Sequence, residues 1–200
     1  MLHTLPTIKN LLNNLQQVPY LASKNLYRVA SHFLQMDPIK VQQFCATLVE
    51  ASKNLQKCSV CCVWKEKEQD CLFCSSHSRN KKIVCLVETW QELLIIDRSG
   101  AFNGVFHVLG GAISPLNGVG PDDLSIHQLI KRVASGSVQE IILATNQTPE
   151  GEATASFIAN KLEPFRVKIS CLAKGVPVGS TLEYTDRLTL YKALAGRRPF

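Results

Sequence analysis

The sequence predicts an α/β protein in which a parallel sheet covered by helices follows a helical region and a four-cysteine zinc finger, with one short helix at the C-terminus. Three observations predict this fold class. Apolar residues recur at helical spacing within residues 1–57, two Cys-x-x-Cys pairs stand between residues 58 and 74, and apolar runs of strand length alternate with helical patterns from residue 83 onward. The 46% apolar content of the 200 residues is enough to bury a core.

Three helices are predicted in residues 1–57. The first covers Thr7 to Gln17, where apolar residues stand three or four positions apart. Ser23 can cap the second helix, and Asp37 with Pro38 provides a cap and a first-turn proline for the third. The second helix would carry on one face its apolar residues Leu26, Val29, Ala30, Phe33 and Leu34.

Strands and helices alternate after the cysteines. The strand-like runs cover residues 83–87, 105–110, 140–144 and 167–172, and the helical patterns between them cover residues 90–97, 125–134 and 151–162. Because apolar strands joined by helices are typical of parallel sheets with both faces covered, we expect that arrangement here. A last helix is predicted from Asp186 to Leu194.

Four cysteines have the spacing of a structural zinc site. Zinc in such sites is held by four ligands in a tetrahedron, and each Cys-x-x-Cys turn places two thiolates on one side of the ion. The residues between the two turns are polar and numerous enough for the chain to reverse. We therefore expect one structural Zn²⁺ per chain, bound by Cys58, Cys61, Cys71 and Cys74.

A redox function, other ligands and the remaining cysteines are less well supported as functional features than the four-cysteine zinc site. A redox Cys-x-x-Cys would open a helix after a strand, whereas these pairs follow a helix and precede a strand. His77 is near enough to compete as a ligand, but the fourth thiol makes it unnecessary, and Cys62 has no expected role. The lone residues Cys45, Cys85 and Cys171 are expected to be small core residues.

The chain has no segment that suggests a membrane. Its longest apolar runs are interrupted within about six residues, whereas a membrane span needs about 20. The N-terminus lacks the charge pattern of a secretory signal peptide. We therefore expect a cytoplasmic protein with no membrane partner, in a compartment where reduced thiols favour metal over disulfides.

The net charge of +6 is concentrated in the first part of the chain. Residues 83–200 carry eleven basic and eleven acidic side chains, so the whole excess lies in residues 1–82. Such a region would attract a polyanion, although a lightly basic surface without a special function explains the charge equally well.

The residues that follow the strands decide whether a catalytic metal site is expected. Ligand-binding and catalytic residues of parallel sheets lie at the carboxyl ends of the strands. Magnesium-dependent phosphoryl transfer needs several carboxylates there. Glu88 ends the first strand and could be one of them, but the third strand leads into the neutral residues Thr145, Asn146 and Gln147. The glycine-rich loop 110–120 lacks a Gly-Lys-Ser/Thr sequence, so it is not a nucleotide-binding P-loop.

Several longer strings resemble the RecR family of bacterial recombination mediator proteins, and the resemblance extends over nearly the whole chain. These strings are CSVC, CLFC, VFHVLGGAISPLNGVGPDDL, ILATNQTPEGEATA and VPVGSTLEYTDRLTLYKALAGRR. The resemblance implies a helix-hairpin-helix-like region in residues 1–57, a zinc finger in 58–78, a Toprim domain in 79–175 and a C-terminal assembly segment in 176–200.

The resemblance also implies a function. Members of the family form ring-like homo-oligomers, commonly tetrameric, that bind single- and double-stranded DNA and act with the partner proteins RecO and RecF to load RecA. The family is not known as a nuclease, which agrees with a sheet that keeps Glu88 and lacks paired aspartates. We therefore expect a non-catalytic, nucleoid-associated clamp for DNA repair and recombination, whose DNA binding tolerates sequence and weakens with salt.

One departure from the family concerns the predicted hairpin. Where the family reads Leu-Pro-Gly-Ile-Gly-Pro-Lys, residues 18–24 read Val-Pro-Tyr-Leu-Ala-Ser-Lys, so both glycines are replaced. Tyr20 and Ala22 adopt the backbone conformations of glycine less freely. Lys24 and Arg28 keep the family's basic positions and are predicted to contact DNA phosphates. Weaker candidates for DNA contact are Arg79, Lys81 and Lys82.

Two other functions stay open. A Toprim-type metal-dependent nuclease or topoisomerase relative would use Glu88, whereas a zinc-stabilised protein-interaction module would not contact DNA directly. Nicking of plasmid DNA that requires both magnesium and Glu88 would favour the first of these. DNA binding only in the presence of a partner protein would favour the second.

Overall fold

The computed structural model describes residues 5–21, 23–197 and 199, so that Ala22 of the predicted hairpin lies outside the described residues. Contacts between Cα atoms divide the chain into two compact units, one ending at Leu55 and the other beginning at Gln56. None of the helices in the described part of the chain combines the length and the apolar character that crossing a bilayer requires.

The first unit is built from three helices, α1 (Pro6–Gln16), α2 (Ser23–Gln35) and α3 (Pro38–Asn54). The predicted cap is confirmed at α3, where the Asp37 carboxylate accepts a hydrogen bond from the Ile39 amide at 2.8 Å. α2 begins at Ser23 itself, so this serine is the first helical residue rather than the cap. A small core joins α1 and α2 and contains Leu12, Leu26 and Ala30.

Much of the apolar surface of this unit is exposed. Leu34, which was predicted on the apolar face of α2, is 63% exposed. α3, all of whose residues are described, buries none of them, and its exposed apolar side chains include Ile39, Phe44 and Leu48. Because most helical stability in proteins comes from packing an apolar face, the exposed side of α3 is a surface on which a partner could pack.

The turn between α1 and α2 has an unusual backbone. Tyr20 has a φ of +65°, in the left-handed region that costs a non-glycine residue about 1–2 kcal/mol. Its side chain is fully exposed. The tyrosine therefore adopts, with strain, a turn conformation that glycine would adopt freely.

From Leu55 onward the chain forms a short two-stranded sheet and then a four-stranded sheet with its helices. The short sheet pairs β1 (Leu55–Lys57) with β2 (Trp64–Glu66), two strands that the apolar pattern did not predict. The later elements are β3 (Asn80–Val87), α4 (Trp90–Arg98), β4 (Gly104–Val108), α5 (Ile126–Ala134), β5 (Glu140–Leu143), α6 (Pro149–Leu162), β6 (Lys168–Cys171) and α7 (Arg187–Ala195). The predicted α/β fold with its short C-terminal helix is confirmed.

The four strands pair in the order β4-β3-β5-β6, and every pair is parallel. β3 is central, so that Leu86 has His107 of β4 as its neighbour on one side and Leu143 of β5 on the other. The strand order reverses between β3 and β5. The carboxyl ends of these two strands therefore form the switch point at which open α/β sheets bind ligands.

The two faces of the sheet bury different layers, because successive side chains of a strand point in opposite directions. Leu86 packs into a core with Leu129 of α5 and Ile158 of α6. Val87, the next residue, belongs to a second core with Phe106 of β4. That second core also contains three of the predicted zinc ligands, Cys58, Cys61 and Cys71.

Two of the three lone cysteines are not core residues, contrary to the expectation. Cys85 is buried in β3, but Cys45 on α3 and Cys171 at the end of β6 are exposed. The helix and the strand were predicted in the right places. The prediction that Cys45 and Cys171 are buried was wrong, because α3 leaves its apolar face exposed and β6 is an edge strand of the sheet.

Candidate metal centre and nucleic-acid interface

The four cysteines of the predicted zinc finger converge. Their Sγ atoms all lie within 4.8 Å of one another, and those of Cys61 and Cys71 are 3.4 Å apart. Two tight turns bring them there, in which the Cys62 amide donates to the Cys58 carbonyl and the Ser75 amide to the Cys71 carbonyl, both at 2.9 Å. Four sulfur atoms bound at 2.3 Å to one zinc ion would be about 3.8 Å apart, so the cluster has the size of a tetrathiolate site.

Hydrogen bonds among the thiols make their ionisation interdependent. The pKa of Cys74 is lowered to about 6, chiefly because the Cys61 thiol donates a hydrogen bond to it, and the Arg132 guanidinium lowers it further. The same hydrogen bond, together with burial, raises the pKa of Cys61. A thiolate at Cys74 thus opposes ionisation of Cys61, and a bound cation is what would let all four thiols ionise together.

The cysteine cluster is attached to the sheet. The Val108 amide of β4 donates a hydrogen bond to the Cys61 carbonyl at 2.9 Å, and Phe73 packs edge-on against Phe106 with ring centroids 5.5 Å apart. Cys62 is buried with a φ of +60° and lies outside the group of four, as does the exposed His77. The contacts therefore join residues 58–74 to β4 within the second unit.

The candidate DNA-binding residues lie in two places. Lys24 and Arg28 are exposed and four residues apart on α2, so they share one helix face. Lys81 and Lys82 are exposed at the start of β3. Within the described residues none of the four forms an ion pair with a carboxylate, so their charges are available to an anionic ligand.

Arg79 is placed differently from the other candidates. Its guanidinium pairs with the Asp97 carboxylate and donates to the Gly104 carbonyl at 3.2 Å. It also stands over the rings of Phe73 and Phe106, at 5.0 and 5.7 Å from their centroids. Arg79 thus contacts the four-cysteine region through Phe73, α4 through Asp97 and β4 through Gly104 and Phe106.

The switch point of the sheet is closed by hydrogen bonds. The buried Glu88 accepts two hydrogen bonds from Asn146, one from the backbone amide and one from the side-chain amide, both at 2.8 Å. The same side-chain amide donates to Glu92 at 2.8 Å. The other Glu92 oxygen accepts the backbone amides of Glu88 and Thr89 at 2.9 Å. A neutral amide therefore lies between two carboxylates where a catalytic cation would need free ligands.

Sequence reasoning identified Glu88 and the neutral loop after β5 but missed Glu92. Thr89 followed three residues later by Glu92 is the pattern of a capping box at the start of α4, and this pattern could have revealed it. No sequence pattern predicts the hydrogen bond between Glu92 and Asn146, because the two residues are 54 positions apart in the chain.

Two lysines of the segment that follows β6 form ion pairs with one carboxylate of α6. Glu152 of α6 accepts hydrogen bonds from Lys174 at 2.8 Å and from Lys192 of α7 at 2.7 Å. These two ammonium groups lower the pKa of Glu152 to about 2. The segment also exposes large apolar side chains, which include Leu182, Tyr184, Leu188, Tyr191 and Leu194.

Comparison with known proteins matches both the sheet and the segment that follows it. The family described as Toprim domain matches residues 82–173, and the family described as RecR, C-terminal matches residues 175–198. The chain is 42% identical over 191 residues to the recombination protein RecR of Tropheryma whipplei strain TW08/27 and to that of Streptomyces coelicolor, and 41% identical to that of Acidothermus cellulolyticus. Each match covers 96% of this chain and 96% of the relative. The chain therefore belongs to the RecR family of recombination proteins.

Proposed function

We propose that this chain is a non-catalytic recombination and repair mediator that binds DNA and acts with RecO and RecF to help load RecA on single-stranded DNA. Membership of the RecR family supports the recombination role. The observation that carries the non-catalytic part is the side-chain amide of Asn146, which lies between Glu88 and Glu92 at the switch point. A metal-dependent nuclease would need those carboxylates free to hold an ion.

The competing function, a Toprim-type nuclease or topoisomerase relative, is tested with supercoiled plasmid. The purified protein is incubated with the plasmid and Mg²⁺, and nicking is followed by gel electrophoresis. We expect no nicking by the wild-type chain or by Glu88→Gln. Nicking that needs Mg²⁺ and disappears in Glu88→Gln would assign the enzymatic function instead.

DNA binding in this proposal is directed at phosphates. Lys24 and Arg28 on α2 are the first candidates, Lys81 and Lys82 are the second, and Arg79 can contribute charge from within its packed site. Phosphate contacts carry no sequence information, so single- and double-stranded DNA of any sequence should bind. Each contact releases a counterion, so affinity should fall steeply with salt.

The DNA contacts are tested by measuring affinity for labelled DNA over a range of salt concentrations. Replacing Lys24 and Arg28 with alanine should reduce the slope of log affinity against log salt by about two. Lys161→Ala on α6, an exposed lysine in the part of the chain without net charge, serves as the control and should leave the slope unchanged. Wild-type DNA binding that appears only when RecO is added would favour the zinc-stabilised interaction module.

We propose that the ion of the cysteine cluster is one structural Zn²⁺ per chain. Four thiolates complete the tetrahedral shell of zinc and leave no open position for a substrate. The burial of three of the four cysteines supports a structural role. The ion would hold the two turns of residues 58–74 against β4.

We further propose that the chain assembles into a homo-oligomer, a tetrameric ring, in the cytoplasm at the nucleoid. The exposed apolar side chains of α3 and of the segment 176–200 support assembly, because contiguous apolar surface is unfavourable in water. In this scheme the functional parts are the helical region 1–57, the zinc finger 58–78, the Toprim domain 79–175 and the assembly segment 176–200. Light scattering after size exclusion measures the number of chains, and a monomer at micromolar concentration would exclude the ring.

A further inference from the structure

The two tryptophans of the chain line one cavity. Trp64 of β2 is 50% exposed, and Trp90, the first residue of α4, is 46% exposed. Both border a cavity of about 260 Å³ in the second unit. Two half-exposed indole rings on one cavity form an apolar surface with flat faces that a planar ligand can cover.

The residues that line this cavity carry one positive charge. Lys57 of β1 borders it and holds its ammonium nitrogen over the Trp64 ring, 5.9 Å from the ring centroid. None of the described residues that line the cavity is acidic. A cation beside aromatic faces is the combination that proteins use to bind single-stranded nucleic acid, in which the bases stack on the rings and the phosphates meet the cation.

Both rings stand on backbone that is held in place. Trp64 follows the first cysteine turn, where the Cys58 amide donates to the Val63 carbonyl at 2.8 Å. Trp90 follows Thr89, whose amide donates to the Glu92 carboxylate at 2.9 Å. Because the backbone that carries the rings does not have to be ordered by the ligand, less of the binding free energy is lost on binding.

We propose that Trp64 and Trp90, with Lys57, form a cleft in which unpaired bases of single-stranded nucleic acid stack. The inference deepens the proposed DNA binding and rests on it, since phosphate contacts elsewhere bring the strand to the chain. The cavity is smaller than the roughly 300–1,000 Å³ of pockets for drug-sized ligands, which suits a single ring system. Duplex DNA keeps its bases paired and stacked, so the cleft distinguishes single strands from duplexes.

The tryptophan emission of the chain reports on this cleft directly, because the sequence contains no other tryptophan. The full chain is titrated with oligo(dT) and with an abasic oligomer of equal length that keeps the phosphates but lacks the bases. Binding of both is followed independently by competition against a labelled strand in fluorescence anisotropy. We expect oligo(dT) to quench the emission and the abasic oligomer to bind without quenching it.

Substitutions separate stacking from charge. Trp64→Ala and Trp90→Ala should each weaken oligo(dT) binding on the order of tenfold and leave duplex affinity within about twofold. Trp64→Phe and Trp90→Phe keep an aromatic face, so they should retain most of the affinity and show that the site tolerates substitution without unfolding. The matched control is Phe165→Ala, a partly exposed aromatic residue after α6, which should change neither affinity.

Four results would overturn the cleft. Oligo(dT) that binds without changing the emission, or alanine variants that lose single-strand and duplex affinity equally, would remove the stacking site and leave the proposed DNA binding in place. An emission change caused by a partner protein and not by oligo(dT) would assign the cavity to a protein interface. A wild-type chain that binds neither DNA in the anisotropy assay would overturn the cleft and the proposed DNA binding together.

Discussion

Asn146 and Glu88 are joined by two hydrogen bonds of 2.8 Å, one from the backbone amide and one from the side-chain amide of the asparagine. These bonds lie where the carboxyl ends of β3 and β5 meet, at the switch point of the sheet. Gly151 permits this approach, because a Cβ there would lie 2.2 Å from the Asn146 carbonyl oxygen and 2.8 Å from Oε1 of Glu88. The site where an α/β enzyme would bind its ligand is thus filled by the protein's own side chains.

Asn146→Asp should destabilise the protein and create a dependence on divalent cations. The substitution places a third carboxylate against Glu88 and Glu92, which costs hydrogen bonds and adds repulsion of about 1–3 kcal/mol. We expect the melting temperature to fall by several degrees without metal and to recover in millimolar Mg²⁺, as measured by circular dichroism.

Asn146→Ala is the control for this experiment, because it removes the amide without adding a charge. It should lower the melting temperature and show no response to Mg²⁺. An Asp variant as stable as wild type in the absence of metal would contradict the described hydrogen-bond network.

Loss of one ligand should release the metal ion. Cys74→Ser removes a thiolate from the cluster, whereas Cys62→Ser changes a neighbouring cysteine that lies outside it. Elemental analysis should find about one zinc per chain in wild type and Cys62→Ser, and clearly less in Cys74→Ser. A chelator should also lower the melting temperature of wild type, since metal binding contributes to folding. Equal zinc content in both serine variants would count against the proposed ligand set.

Tyr20→Gly should stabilise the first unit. Its φ of +65° costs a tyrosine about 1–2 kcal/mol. Glycine avoids this strain, but its greater conformational freedom in the unfolded chain offsets part of the gain in stability. A net gain of up to about 1 kcal/mol is expected in urea unfolding. Tyr27→Gly, an exposed tyrosine within α2, is the matched control and should destabilise by a similar amount. A loss of stability in Tyr20→Gly would show that the turn is not left-handed in solution.

Arg79 and Lys82 should behave differently on substitution. Arg79→Ala breaks a partly buried ion pair with Asp97 and uncovers two aromatic rings, so it should lower the free energy of unfolding by about 1–3 kcal/mol. Lys82→Ala should change stability by less than about 0.5 kcal/mol and reduce the salt dependence of DNA binding by about one contact. Chemical denaturation and anisotropy titrations measure the two effects, and a fully stable Arg79→Ala would refute the structural role of the arginine.

The carboxyl group of Glu152 should titrate at an unusually low pH. Its pKa is lowered to about 2 by Lys174 and Lys192, so its contribution to holding α7 is present above the ordinary glutamate pKa of 4.5 and is lost as the pH falls through about 2. Side-chain NMR of Glu152 measures this pKa directly. Lys192→Met should raise it toward 4.5, whereas Arg187→Met on the same helix should not. A wild-type value near 4.5 would mean that these ion pairs do not persist in solution.

Sequence patterns predicted the long elements well and the short or exposed ones poorly. The four strands and the helices between them have clear periodicity and caps, such as Thr148, whose hydroxyl accepts a hydrogen bond from the Gly151 amide at the start of α6. β1 and β2 have three residues each, too few to show a period. The burial of Cys45 was predicted wrongly, because an apolar side chain marks a helix face without showing whether the chain itself covers that face.

By itself the sequence determined the order of the longer strands and helices, the parallel sheet and the set of four thiols, because periodicity, capping and ligand spacing are expressed within a few neighbouring residues. Only the tertiary structure decided that Asn146 fills the space beside Glu88, 58 residues earlier in the chain, and that Trp64 and Trp90 border one cavity. These residues are brought close together by the strand order and by the packing of the cysteine turns against β4. No local sequence pattern predicts these arrangements, because each residue would be equally compatible with its own helix, strand or turn in a different tertiary structure.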